Sequence, residues 1–105
     1  MDKIPDKIIN NIKVLIDDLN HNKINIESAI LFGSYAKGNY NEFSDIDLAL
    51  ISKDFSGNRF TDKDSIRKFV VRINTDISPI PYRPEDFTSD DLFVSEIMES
   101  GIKIV

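Results

Sequence analysis

An α/β fold, a small mixed β-sheet flanked by helices, is what this sequence predicts, and three observations predict it. An apolar stripe at helical spacing opens the chain: Ile4, Ile8, Ile12, Leu15, Ile16 and Leu19 fall on one face. Two short apolar runs follow, 28–32 and 46–51, each of strand length. Helical and extended patterns then alternate to the end, giving the order helix, strand, strand, helix, strand, helix, strand.

Each element has its own reason. Pro5 suits the first turn of a helix over residues 5 to about 21, and Asn20-His21-Asn22 ends it. His21 reads as a solvated end residue, since no second histidine exists to share a metal. Ser28 to Phe32 is a buried strand that ends at Gly33. In the next strand, Ile46, Leu48 and Leu50 alternate with Asp45, Asp47, Ala49 and Ile51. Residues 52–60, with Gly57 and Asn58, read as loop. Thr61-Asp62-Lys63-Asp64 looks like a capped helix start with acids in the first turn, and Ile66, Phe69, Val70 and Ile73 form its apolar face. Residues 76–80 are extended, and prolines 79, 81 and 84 place the end of that segment at a sheet edge or in a loop. Asp90 to Ser100 is a second amphipathic helix, closed by Gly101. Ile102 to Val105 is a candidate last strand whose free edge would allow a homo-oligomer.

Composition bounds the function. With 105 residues the chain has the size of one domain, with a core but no separate substrate lobe. Hydrophobic residues at 41% and charged residues at 30% are those of an ordinary soluble protein. Cysteine is absent, which excludes disulfides and thiolate metal sites. The stretch Met1 to Asp6 lacks the apolar run and basic leader of a secretory signal, and no segment approaches the roughly 20 apolar residues of a membrane span. A cytoplasmic location without membrane contact is the expectation. The net charge is −5, and between residues 83 and 99 six acids, Glu85, Asp86, Asp90, Asp91, Glu96 and Glu99, stand against Arg83. That balance argues against an extended nucleic-acid partner, whose binding rests on cations facing phosphates.

The chemistry concentrates in Phe32-Gly33-Ser34-Tyr35-Ala36-Lys37-Gly38 and Phe43-Ser44-Asp45-Ile46-Asp47-Leu48. Asp45 and Asp47 are two apart on a strand, so they share a face at about 7 Å spacing. Two carboxylates so fixed repel each other unless a cation lies between them. Oxygen ligands without histidine or cysteine suit Mg²⁺ or Mn²⁺ better than zinc. Asp76 opens the extended segment that can lie alongside, and three acids from two strands can hold two ions about 3.5–4 Å apart around a phosphorus centre. Gly33 lets the backbone approach a ligand, while the Ser34 hydroxyl and the free amides of a helix start can cradle phosphate. Lys37 adds a positive charge near the same phosphates. Taken singly, a Gly-Ser turn, an Asp-x-Asp and a turn aspartate are commonplace; their combination in this order is not.

Gly33-Ser34, ten residues, then Asp45-x-Asp47 resembles the signature of the DNA polymerase β-like nucleotidyltransferase superfamily. More closely, the chain is similar over nearly its whole length to the minimal nucleotidyltransferases of bacteria and archaea. The resemblance implies a single nucleotidyltransferase domain over residues 1–105, with Asp45, Asp47 and Asp76 as catalytic metal ligands. It implies Mg²⁺, two ions, and ATP as substrate, with Gly33, Ser34 and Lys37 on the nucleotide. It further implies that the third carboxylate can act as base toward the acceptor hydroxyl.

Minimal members of this family act beside a helical HEPN-type protein, often as a toxin–antitoxin pair. There the nucleotidyltransferase is the antitoxin and can transfer AMP to a tyrosine of its partner. Protein adenylylation is therefore the leading expectation. The alternatives are a non-catalytic binding antitoxin and transfer to a small molecule such as an aminoglycoside, for which the chain lacks the extra helical domain. Lys63, Arg67, Lys68 and Arg72, helically spaced, read first as a solvated face and second as a contact for a partner or phosphate.

Overall fold

The computed structural model describes residues 4–105. Met1 to Lys3, half of the opening stretch read above for a leader, lie outside the described residues. The amphipathic stripe folds into α1 (Asp6–His21), which buries Ile8, Ile12, Leu15, Ile16 and Leu19. Pro5 sits just before it, where a missing amide hydrogen costs nothing.

The strand β1 (Ser28–Phe32) leads through Gly33 into the one-turn helix α2 (Ser34–Lys37). The second apolar run is β2 (Ile46–Ile51), followed by α3 (Arg59–Ile73) and β3 (Ile77–Tyr82). A 3-10 turn at Pro84–Asp86, α4 (Leu92–Ser100) and the two-residue β4 (Ile102–Lys103) complete the order. The sheet runs β3-β2-β1-β4. Its β1–β2 and β1–β4 pairs are antiparallel, and β2–β3 is parallel, joined by α3 as the crossover helix.

Strand alternation sorts the side chains onto two faces. Ala29, Leu31, Ile46, Leu48 and Leu50 meet α1 and α3 in one core. Phe32, Ala49, Ile51 and Tyr82 meet Val94 and Ile97 of α4 in another. Leu31, Leu48 and Leu50 are fully excluded from solvent, so truncating any of them to alanine is expected to cost about 2–5 kcal/mol. The shorter α4 covers only part of the second face, which leaves room beside the adjoining ends of β1 and β2.

Several boundaries differ from the sequence expectation, beginning with the last strand, which keeps only Ile102 and Lys103 of the expected 102–105. The helix α3 begins at Arg59, inside the stretch read as loop, because Asn58 Oδ1 rather than the Thr61 hydroxyl is the cap and accepts from Thr61 N at 3.0 Å. The helix α4 begins at Leu92 instead of Asp90, since Asp91 Oδ1 accepts from Phe93 N and Val94 N at 2.8 and 3.2 Å. The third strand continues through Pro79 and Pro81 to Tyr82. It can do so because it is an edge strand whose even-numbered residues face β2, as the Asp76 and Tyr82 carbonyls do in accepting from Ile46 N and Ser52 N. The two prolines fall in the outward parity, where no ladder hydrogen bond is lost.

Candidate functional site

The site is built where β1 ends and β2 begins. Phe32 and Asp47 are cross-strand partners, so the residue after Phe32 lies against the Asp47 side chain. That residue is Gly33, with φ 73° and ψ −147°, a conformation essentially restricted to glycine. A β-carbon there would overlap Oδ2 of Asp47. The chain then turns into α2, whose first intrahelical bond is Lys37 N to the Gly33 carbonyl at 3.0 Å. The amides before it, beginning at Ser34, have no helical acceptor, as at every helix start.

The ten residues between Ser34 and Asp45 have a structural reason for their number. One turn of helix ends at Gly38, which takes the left-handed conformation at φ 80°. Tyr35 and Tyr40 then stack with ring centroids 4.5 Å apart. A compact turn brings the chain back: Asn41 Oδ1 accepts from Phe43 N at 2.8 Å, and Ser44 Oγ accepts from Asn41 N at 2.9 Å. Asp45 follows directly, and Asp47 takes the second position of β2.

Around Asp47 lies a cavity of about 350 Å³, lined by Gly33 and Lys37 on one wall and by Phe93 and Glu96 of α4 on the other. Phe32 and Phe93 meet edge to face at 5.7 Å and give it an apolar floor. Lys37 Nζ reaches Glu96 Oε1 at 3.7 Å across the mouth, both side chains being half exposed. The Asp47 carboxyl is raised above the ordinary carboxylate range, first by burial and then by the negative charge of Asp45.

A second cavity of about 330 Å³ opens on the α3 side, with Asp45 and Asp76 on its wall beside Lys63 and Arg67. The Asp76 carbonyl accepts from Ile46 N at 2.9 Å, which holds Asp76 next to Asp45 in the parallel register of β2 and β3. The structure thus brings Gly33, Lys37 and Asp47 together in one cavity and Asp45 and Asp76 in its neighbour. Ser34 is half-buried at the start of α2. Among the described residues, no three His, Cys, Asp or Glu side chains are grouped closely enough to hold a metal ion.

Glu96 and Phe93 are the site residues that sequence reading missed. Glu96 entered only as part of the acidic balance, and nothing in local spacing ties it to Lys37; their meeting depends on how α4 packs on the sheet. No helix among the described residues is long and apolar enough to cross a membrane.

Comparison with known proteins agrees with this geometry. A protein of Methanocaldococcus jannaschii named as a candidate protein adenylyltransferase is 40% identical over 65 residues, 58% of this chain and 44% of its own length. A second protein of that organism, named likewise, is 34% identical over 86 residues, 78% of this chain and 82% of its own. This chain therefore spans less than half the length of the first relative. A solved structure of a toxin–antitoxin with AMP-PNP superposes with a TM-score of 0.64 at 21% identity, over 92% of this chain and 72% of that one. The likeness shows a common fold, that of the polymerase β-like nucleotidyltransferases. The family model for the nucleotidyltransferase domain matches residues 12–104, and with nearly the whole chain so covered, this protein belongs to the nucleotidyltransferase domain family.

Proposed function

We propose that this chain transfers AMP from ATP to a hydroxyl group of a partner protein, using Mg²⁺ held by Asp45, Asp47 and Asp76. The observation that carries the reading is the close apposition of Gly33 and Asp47. It presses a phosphate-binding turn against a carboxylate that belongs to an Asp-x-Asp pair.

The donor chemistry fits a hard divalent cation, although the three carboxylates are not grouped around one point in this structure and would have to converge on a bound ion. The donors are carboxylate oxygens only, and Asp47 is half-buried with a like charge beside it, an arrangement that a bound cation would relieve. When bound, such ions polarise the phosphate oxygens and ease ionisation of the acceptor hydroxyl. The chain's own residues do the rest. Gly33 and Ser34 bring backbone amides to the triphosphate, and Lys37 turns from Glu96 toward it. Phe32, Phe93 and Ile80 line the apolar part of the cavity and take the nucleoside. The acceptor oxygen attacks the α-phosphorus, a new O–P bond forms, and the bond to the bridging oxygen of the β-phosphate breaks, releasing pyrophosphate. The acceptor proton passes to a carboxylate oxygen of Asp76.

A protein acceptor is favoured by the names of the two relatives, and a toxin–antitoxin pairing by the solved neighbour. That the partner is a helical HEPN-type protein rests on the family resemblance of the Gly-Ser and Asp-x-Asp motifs. The test is label transfer from ATP carrying labelled α-phosphate, with candidate partner, Mg²⁺ and the full chain. Label on the partner that is lost with Asp47→Ala and with a chelator is the expected result. Suppression of partner toxicity by Asp47→Ala, with no label on either protein, would overturn catalysis in favour of a binding antitoxin. Asp76→Asn should retain ATP binding while kcat falls about 10²–10⁴-fold, the usual contribution of a general base.

A further inference from the structure

The helix α3 is at odds with the charge of the chain. It carries five cations and two acids, while the whole protein stands at −5. Two of these charged groups are turned to structural use. Asp62 is buried and accepts hydrogen bonds from Ser56 and Gly57, and Arg59 lies over the Tyr82 ring at 5.4 Å. Lys63, Arg67, Lys68 and Arg72 remain on the outer surface, with Asp64 as the one acid among them.

Their placement is more specific than a solvated face requires. Lys63 and Arg67, one helical turn apart, line the same cavity as Asp45 and Asp76. Arg67 also lines a shallow groove of about 600 Å³ that continues along α3 past Val71 to Arg72. Val71 is 58% exposed and gives that groove an apolar contact. Although two carboxylates share the first cavity, the side chains of Lys63, Arg67 and Arg72 form no ion pair within 4 Å and no hydrogen bond among the described residues. On the other side of Asp47, by contrast, Lys37 already has Glu96.

On the reading of this protein as a protein nucleotidyltransferase, we infer that the channel along α3 from Asp76 past Lys63 and Arg67 to Arg72 is the docking site of the acceptor segment, and that this segment is acidic. The nucleotide occupies the Gly33–Lys37–Asp47 side, and the acceptor approaches from the opposite side of the carboxylates. Acidic side chains flanking the accepting hydroxyl meet Lys63 and Arg67, which places the hydroxyl at Asp76. A nucleic-acid strand fits this channel less well. Its evenly spaced phosphates would run against Asp45, Asp76 and Asp64, whereas a peptide can place discrete charges between them. Charge complementarity of this kind chiefly sets specificity and approach.

The test uses the full chain without nucleotide and two fluorescent peptides, each with one tyrosine, flanked by glutamates in one and by glutamines in the other. Anisotropy at low salt should show the acidic peptide bound at least about tenfold more tightly. The double variant Lys63→Glu/Arg67→Glu should lose that preference and still bind ATP. Lys7→Glu/Lys13→Glu, the same charge change on the exposed side of α1, should keep it. Equal binding of the two peptides, or equal loss in both double variants, overturns the inference. So does displacement of the acidic peptide by an oligouridylate of the same charge at equal concentration, which would make the channel a nucleic-acid site. Equal peptide binding with label transfer to the partner intact removes this docking site and leaves the transferase reading standing. A preserved preference with no transfer to any acceptor supports the docking site and counts against the transferase.

Discussion

Gly33 and Asp47 occupy one another's space so closely that a single added methyl group at position 33 would overlap the Asp47 carboxylate. The Gly33–Ser34 turn and the carboxylate are therefore one geometric unit. Neither can move without the other.

Gly33→Ala is expected to be damaged twice. An alanine at φ 73°, ψ −147° carries strain of about 1–3 kcal/mol, and its methyl group must push the Asp47 side chain aside. The variant should fold with a Tm lowered by several degrees, and its kcat/KM for transfer should fall by about 10²-fold or more, the scale of an ångström's misplacement. Circular dichroism melting and label transfer read the two effects separately. A variant with lowered Tm and undiminished transfer would sink the shared-geometry argument.

Asp47 makes stability depend on pH in an unusual direction for a carboxylate. Burial, then the Asp45 charge, raise its pKa in the folded protein, so the folded state holds this proton more tightly than the unfolded chain does. Ionised Asp47 therefore opposes folding. That penalty is fully present above the raised folded pKa, and it vanishes once pH falls below the ordinary carboxylate value of the unfolded chain. Asp47→Asn, in chelator at neutral pH, should melt above wild type, and the gain should shrink toward zero as pH approaches about 4. Saturating Mg²⁺ should reverse the order, because only the wild type gains a bound ion. Melting curves across pH with and without Mg²⁺ check both signs, and an Asp47→Asn protein less stable than wild type in chelator would refute the argument.

Lys37 and Glu96 meet at 3.7 Å with both side chains half exposed, and pairs of this kind contribute about 0–1 kcal/mol. Glu96→Gln should leave the Tm almost unchanged. It should nonetheless tighten ATP binding, because Lys37 no longer has to leave a partner. Lys37→Met should weaken ATP binding by about tenfold, an effect that salt reduces in the wild type but not in the variant. Calorimetric titration of ATP at two ionic strengths separates these outcomes; identical affinity in all three proteins would remove Lys37 from the nucleotide side.

Much of this molecule was legible because its local signals agree with its packing. All five residues that α1 buries belong to the stripe read from sequence, and β1 ends where Gly33 breaks the apolar run. The Gly-Ser to Asp-x-Asp interval was readable as a resemblance. Its structural basis, one helical turn followed by an Asn41–Ser44 turn, was not. What sequence reading lost are features made by tertiary contact. Asn58 competes with Thr61 as a cap on nearly equal chemical terms, and the decision comes from the backbone that feeds it. Asp45 and Asp47 were expected to share a strand face, but Asp45 lies just before β2 and the two line different cavities, because α4 covers one side and α3 borders the other. Glu96 reaches Lys37 from 59 positions further along the sequence, a pairing no periodicity encodes.

Asp62 illustrates how such a hidden contact governs stability. Sequence places it among first-turn acids, normally a solvated feature, but it is 5% exposed. Its Oδ1 accepts from Ser56 N at 2.8 Å and Ser56 Oγ at 2.9 Å, and its Oδ2 from Gly57 N at 3.1 Å. The carboxylate thus ties the loop after β2 to the start of α3, beside the Asn58 cap. Asp62→Ala would remove the acceptor of the Ser56 and Gly57 amides and of the Ser56 hydroxyl in a loop whose residues 56–60 are exposed, a loss of about 1 kcal/mol for each hydrogen bond, since water replaces part of it. We expect a total near 3 kcal/mol by urea unfolding, with ATP binding retained, since none of these groups lines the Asp47 cavity. Asp62→Asn keeps one accepting oxygen and should lose roughly half as much. A loss within error of zero for Asp62→Ala would mean that the loop is held by other contacts, and that this carboxylate is a consequence of the fold rather than one of its supports.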